Sequence, residues 1–179
     1  MAILDTIINT AAKQFNQKNK TTINKKVLPQ SEAELVTRRE NAEKMIHNKS
    51  LMSSAAAVVP IPGLDVTADL KLMTDIIEQI NKEYGLSHKQ VNGYSDDLKQ
   101  KVMFNAAKQG SDFIGKKISK SLVAVIMKMI AKRELMKQSK WVPLVGQAVS
   151  GTISYYMMRK MGMMHIEKCE KVARALMTE

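Results

Sequence analysis

The stretch VVPIPGLD, residues 58–65, and its echo WVPLVG, residues 141–146, decide how this chain folds. Almost everything around them reads as helix. Proline lacks an amide proton and its ring collides with the preceding turn, so Pro60 ends one apolar helix. Pro62 and Gly63 carry the chain round, and Asp65 is placed to cap the next helix at its positive end. Pro143 and Gly146 repeat the corner, with Gln147, a poorer cap, in the place of the aspartate. Each break turns an apolar segment back on itself. The expected fold is all-α, a single bundle of about six to seven helices with two Pro/Gly-broken helical hairpins.

Composition agrees. The chain has 179 residues, the size of one ordinary domain, with 45% hydrophobic and only 4% aromatic residues. Fourteen methionines make its apolar side adaptable. Four prolines and eight glycines are few enough to leave long helices intact. A single cysteine, Cys169, rules out an internal disulfide framework. The opening MAILDTIINTAAKQF has no basic region ahead of its apolar residues and does not read as a signal peptide, so cytoplasm is the expectation.

Reading along the chain, Ile3, Leu4, Ile7 and Ile8 share a face with Ala11 and Phe15, an amphipathic helix. A basic linker follows, so residues 1–30 read as an arm and 31–179 as the bundle. Ser31 with Glu34 forms a capping-box pattern for the next helix. After Asp65, Val66, Leu70, Met73, Ile77, Ile80 and Tyr84 form a seam, widened by Leu72 and Ile76, with Gly85 as C-cap. Ser87 with Gln90, and Ser95 before Asp96 and Asp97, start two further helices. The second carries Leu98, Val102, Met103 and Ala106 on one side and fades near Gly110. Ile118, Leu122, Val125, Met129 and Met136 predict another stripe, broadened by Val123, Ile126 and Ile130 and wide enough for the middle of a bundle. A helix from about Gln147 to Met161 and a more polar one from about Met163 to Met177 complete the reading.

Charge is uneven. The net value is +11; residues 1–30 hold Lys13, Lys18, Lys20, Lys25 and Lys26 against Asp5, while residues 61–100 hold four lysines against seven carboxylates. Apolar insertion by Ile3, Leu4, Ile7 and Ile8 joined to those five lysines would suit an anionic membrane surface. Nucleic acid is a poorer fit, because no aromatic platform interleaves the lysines of residues 116–140.

Reactive chemistry is sparse. GSDFIGKK, residues 110–117, fits seven positions of the phosphate loop GxxxxGK[ST]. The eighth is Lys117 where a hydroxyl should reach magnesium, and no strand precedes it. It is read as a chance match. His165 and Cys169 share a helix face, but a structural zinc needs four ligands, and His47 and His88 have no fitting spacing. No catalytic, cofactor-binding or metal residue is assigned, and the expectation is a non-enzyme with no cofactor.

Two segments, AAAVVPIPGLDVTADLKLMTDIIEQINKEYGLS (55–87) and KWVPLVGQAVSGTISYYMMRKMG (140–162), carry a family resemblance. They resemble a bacterial helical domain that accompanies Era-like GTPase modules, as in the YcjF-type proteins of unknown function. The C-terminal helical region of the immunity-related GTPases looks similar, and EcsC-type proteins more distantly. The match covers roughly residues 50–165 and rests most on Pro60, Pro62, Gly63, Tyr84, Gly85, Pro143 and Gly146. It implies an all-α domain, often membrane-associated, beside a nucleotide-driven partner, and it implies no catalytic residue. This chain departs from the pattern in having no GTPase module, so any GTPase would be separately encoded.

The expectation is thus a helical interaction protein that binds another protein, cytoplasmic or peripheral to the cytoplasmic membrane, with oligomerisation open. The alternative is a membrane-inserting or pore-associated protein in which residues 50–64 with 66–84, and 121–131 with 141–158, form apolar hairpins.

Overall fold

A computed structural model of the chain describes residues 27–56, 65–137 and 150–178, and side chains over 27–51, 70–129 and 155–178. These residues form six helices and no strand: α1 (Glu32–Ala56), α2 (Asp65–Glu83), α3 (His88–Asn92), α4 (Asp96–Lys108), α5 (Lys120–Lys137) and α6 (Ser150–Thr178). Of the expected arm, residues 1–30, only 27–30 are among them, and Leu28 is buried; the corner residues Pro60, Pro62, Gly63, Pro143 and Gly146 lie outside.

Helices α1 and α6 are the longest, at 25 and 29 residues, and they pack along each other. Their direction is antiparallel, since Glu32 meets Arg174, Arg39 meets Glu170 and His47 meets Tyr155. Helix α2 lies against both. It runs antiparallel to α1, where Arg38 and Asn41 reach Glu83, and parallel to α6, where Asn81 meets His165 and Tyr84 meets Glu170. Helix α5 packs on α2 and α6, and α4 packs on α6 and the short α3.

The core is the meeting of three stripes. From α2, Met73, Ile76, Ile77 and Ile80 are fully buried, the i, i+3, i+4, i+7 recurrence that the sequence predicts, and Tyr84 just past its last residue continues the stripe. Leu35, Ala42 and Ile46 come from α1, and Met158, Met161, Ile166, Cys169 and Val172 from α6. Each large apolar side chain so buried contributes about 1.5–3 kcal/mol before the entropy of ordering is subtracted.

The end of α2 shows local and global structure agreeing. Gly85 has φ +74°, Leu86 N–H donates to Asn81 C=O (2.7 Å) and Gly85 N–H to Lys82 C=O (3.2 Å), which is a complete Schellman motif. Ser87 then caps α3 with a full capping box to Gln90, and Ser95 caps α4 by accepting from Leu98 N–H. At α1 the box is redirected. Ser31 Oγ accepts from Glu34 N–H, but the Glu34 carboxylate accepts from Gln30 N–H rather than from Ser31 and also pairs with Arg38.

Two expectations are corrected. The helices foreseen at Gln147–Met161 and Met163–Met177 are one continuous α6 through Gly162. That glycine does not end a helix. A Cβ built there would lie 2.7 Å from Ile46 Cδ1, so its bareness lets α1 and α6 close together. On α5, Val125 and Met129 are not in the core but 54% and 49% exposed, while Val123 is fully buried. Its inner side runs through Leu122, Val123, Ile126 and Met127, and α5 lies at the periphery. Residues 122–127, LVAVIM, put apolar side chains on every side of this helix, so that stretch has no preferred face of its own and its neighbours choose one.

Candidate functional site

The polar chemistry of the domain sits in two places: a buried network between α2 and α6, and an open groove between α1 and α6. The network begins with Asn81. Its Nδ2 donates to Phe113 C=O (3.0 Å), so its Oδ1 accepts from His165 Nε2–H (2.8 Å). Cys169 Sγ lies 3.6 Å from His165 Nε2 and 3.8 Å from Asn81 Oδ1. Burial holds the His165 pKa down to about 3, with the nearby Lys168 ammonium adding to the effect. Burial likewise pushes the Cys169 thiol well up, reinforced by Glu170, so the reactive thiolate is suppressed. The pair that shares a helix face in the sequence is thus brought together, as a neutral imidazole beside an inert thiol. Among the described residues no three His, Cys, Asp or Glu side chains gather in a way that would hold a metal ion.

One turn further along, Glu170 is buried and accepts from Arg39 Nη1 (2.8 Å) and Tyr84 Oη (3.4 Å), with Arg174 at 3.6 Å. Burial, and then the Glu170 charge, raise the Tyr84 phenol far above its usual range. Tyr84 is therefore a fixed donor, not an acid. The neighbouring Gly85 is crossed by the chain at Val27–Leu28. A Cβ there would stand 2.7 Å from both Leu28 N and Val27 C, and Tyr94 Oη donates to Gly85 C=O (2.7 Å). Arg38, almost wholly buried, clamps this crossing by donating to Val27 C=O (2.6 Å) and Glu83 C=O (2.8 Å).

Residues 110–117, the phosphate-loop look-alike, form a plug. Phe113 and Ile114 are buried, and Phe113 packs edge-on against His165. The amides a phosphate would need are already taken. Those of Phe113 and Ile114 donate to Ser111 Oγ, and that of Gly115 to Leu86 C=O (2.9 Å).

The groove occupies about 360 Å³ and is lined by Glu43, Lys44, Ile46, His47, Asn48, Arg159 and Met163. Tyr155 supports its wall: His47 Nδ1 is 3.1 Å from Tyr155 Oη, and Arg159 Nη1 donates to the same oxygen (3.4 Å). Glu43 is held by Arg39 Nε (2.8 Å).

Of the residues singled out in the sequence, Tyr84 and Gly85 meet at the Arg38 clamp, and Asp65 opens α2. Ile3, Leu4, Ile7, Ile8, Lys13, Lys18, Lys20, Lys25 and Lys26 lie outside the described residues. Sequence reasoning missed Arg38, Lys49 and Glu170. A signal existed for two of them. Leu35, Ala42 and Ile46 share a helical phase, and Arg38 and Lys49 occupy positions of that same phase. A cation on an apolar stripe is either misplaced or held by something. Burial lowers the Lys49 pKa, opposed by Asp75.

Fold and site together define an all-α domain whose histidine–thiol pair and buried tyrosine are committed to its own core. The chain belongs to the family described as a domain of unknown function (DUF697), whose model matches residues 23–176. No curated protein and no solved structure matches the chain.

Proposed function

We propose that this chain is a non-enzymatic helical interaction domain that docks on another protein, and that the partner is a separately encoded GTPase. The observation that carries partner binding is the outer side of α5. Val125 and Met129, one turn apart, stand half exposed, beside the exposed Lys128. The GTPase class is supported by the likeness of the 55–87 and 140–162 segments to domains that accompany such modules. The non-enzymatic reading is supported by the inward commitment of His165, Cys169 and Tyr84.

At a membrane, attachment is peripheral, through the lysine-rich residues 1–26. No helix among the described residues is long and apolar enough to cross a bilayer.

Two experiments test these statements. Tagged full-length chain, cross-linked in its native cell, recovers a GTP-binding protein, and Val125→Asp with Met129→Asp abolishes that recovery while leaving the helical CD spectrum unchanged. Recovery of no GTP-binding protein refutes the partner assignment. In co-sedimentation with anionic vesicles, removal of residues 1–26 or high salt releases the chain. Carbonate-resistant binding would instead mean insertion.

A further inference from the structure

We propose that the groove between α1 and α6 is a binding site for a phosphate-bearing group, with His47, Arg159 and Lys44 as its donors. The argument begins at Tyr155, whose hydroxyl has one proton. Oη accepts from Arg159 Nη1 (3.4 Å) and lies 3.1 Å from His47 Nδ1; with the phenol proton donated to Nδ1, the imidazole N–H is left on Nε2. In that tautomer, as in the doubly protonated ring, Nε2 is a donor. Tyr155 thereby fixes two donors on one wall at once.

Arg159 spends one of its five N–H groups on the tyrosine and keeps the rest of its fork. Lys44, on the same groove, has no ion pair among the described residues, and Asn48 adds an amide. The one carboxylate on the lining among the described residues, Glu43, is drawn off by Arg39 (2.8 Å), so these residues keep a positive balance. Ile46 and Met163 supply an apolar patch beside this donor set. A volume of about 360 Å³ lies at the small end of ligand sites. Converging cationic donors beside an apolar patch suit a phosphomonoester on a short carbon skeleton, and a planar guanidinium suits its oxygens in particular. Such a group comes either as a free phosphorylated metabolite or as the exposed headgroup of a lipid such as phosphatidic acid.

The test uses the full chain and two probes: glycerol 3-phosphate, followed by amide and side-chain NMR shifts and by calorimetry, and vesicles of phosphatidylcholine with or without phosphatidic acid. Glycerol 3-phosphate shifts the His47, Tyr155 and Arg159 signals saturably. Arg159→Gln weakens it about tenfold or more, Arg159→Lys recovers part of the loss, and Tyr155→Phe weakens it about threefold while the fold is retained. Lys168→Gln, outside the groove, changes nothing. Saturable binding of the soluble probe supports a metabolite site; phosphatidic-acid-dependent binding that Arg159→Gln abolishes, without soluble binding, supports the headgroup. Absence of both, or binding indifferent to Arg159→Gln and Tyr155→Phe, overturns the proposal.

Discussion

Replacing Gly85 with alanine should be far more damaging than the same change at Gly110, and the difference measures one backbone crossing. Both glycines have positive φ, +74° and +59°, so both substitutions pay the left-handed penalty, about 1–2 kcal/mol. Both also gain the same small amount from a stiffer unfolded chain, which cancels in the comparison. Nothing lies within 4 Å of the Cβ that Gly110 would acquire, whereas at Gly85 the new atom stands 2.7 Å from Leu28 N and Val27 C. Backbone cannot swing aside like a side-chain tip. The Val27–Leu28 crossing must lift, which strains the Arg38 bond to Val27 C=O (2.6 Å), a charge-assisted bond worth about 1.5–3 kcal/mol. Gly85→Ala is therefore expected to lose about 3–5 kcal/mol and Gly110→Ala about 1–2. For a chain of this size the gap corresponds to roughly 4–12 °C in Tm. Scanning calorimetry of the two variants beside the parent decides it. Midpoints within about 2 °C of each other would refute the reasoning, because the crossing would then contribute nothing.

Further expectations come from the buried polar groups and the tight helix pair. The unfolded chain protonates His165 near pH 6.5, but the folded chain only near 3. Stability is then complete above the unfolded value and falls as pH drops through this window, by up to about 4–5 kcal/mol. Urea midpoints between pH 8 and 4 should show that slope, and His165→Gln should flatten it; an unchanged slope would assign the acid sensitivity elsewhere. Arg38→Met leaves the carbonyls of Val27 and Glu83 without their donor and should cost about 2–4 kcal/mol, with Arg38→Lys intermediate, in denaturant unfolding. Equal losses in the two variants would mean that the guanidinium's reach and geometry matter there and charge does not; a lysine variant as stable as the parent would mean that charge alone suffices. Gly162→Ala gains about 1 kcal/mol of helix propensity but overpacks against Ile46, and Ile46→Val removes the Cδ1 that lies 2.7 Å away. The double variant should be more stable than the two single effects add up to, and strict additivity in a double-mutant cycle would deny the contact.

The seam of α2 and the start of α3 were fully legible, because period and caps are local properties of the chain. Met73, Ile77, Ile80 and Tyr84 fall where a 3.6-residue repeat puts them, and Ser87 with Gln90 caps as written. Other features depend on what lies opposite. A glycine that ends a helix and one that admits a neighbour are the same letter, so Gly162 read as a break until Ile46 stood beside it. The 122–127 stretch of α5 is apolar all round, and only the placement of α2 and α6 made Val123 inner and Val125 outer. The groove is less legible still: His47 and Tyr155 are 108 residues apart, and neither sits in a recognisable motif. Arg38 was available to a stricter reading of the α1 stripe. Its two carbonyl partners were not, since they come from residues 27 and 83.

The clamp at Gly85 also has a mechanical side. The chain preceding α1 does not leave the domain at its first helical residue. It is tied down at Val27 and Leu28, with the guanidinium of Arg38 bridging it to the last turn of α2. A pull on the arm, from whatever it is anchored to, would load this tie before it reached α1. The force would enter at the corner between α2 and α3, next to the buried Tyr84 and Glu170. A load applied through Val27 would thus reach the domain at one end of α2.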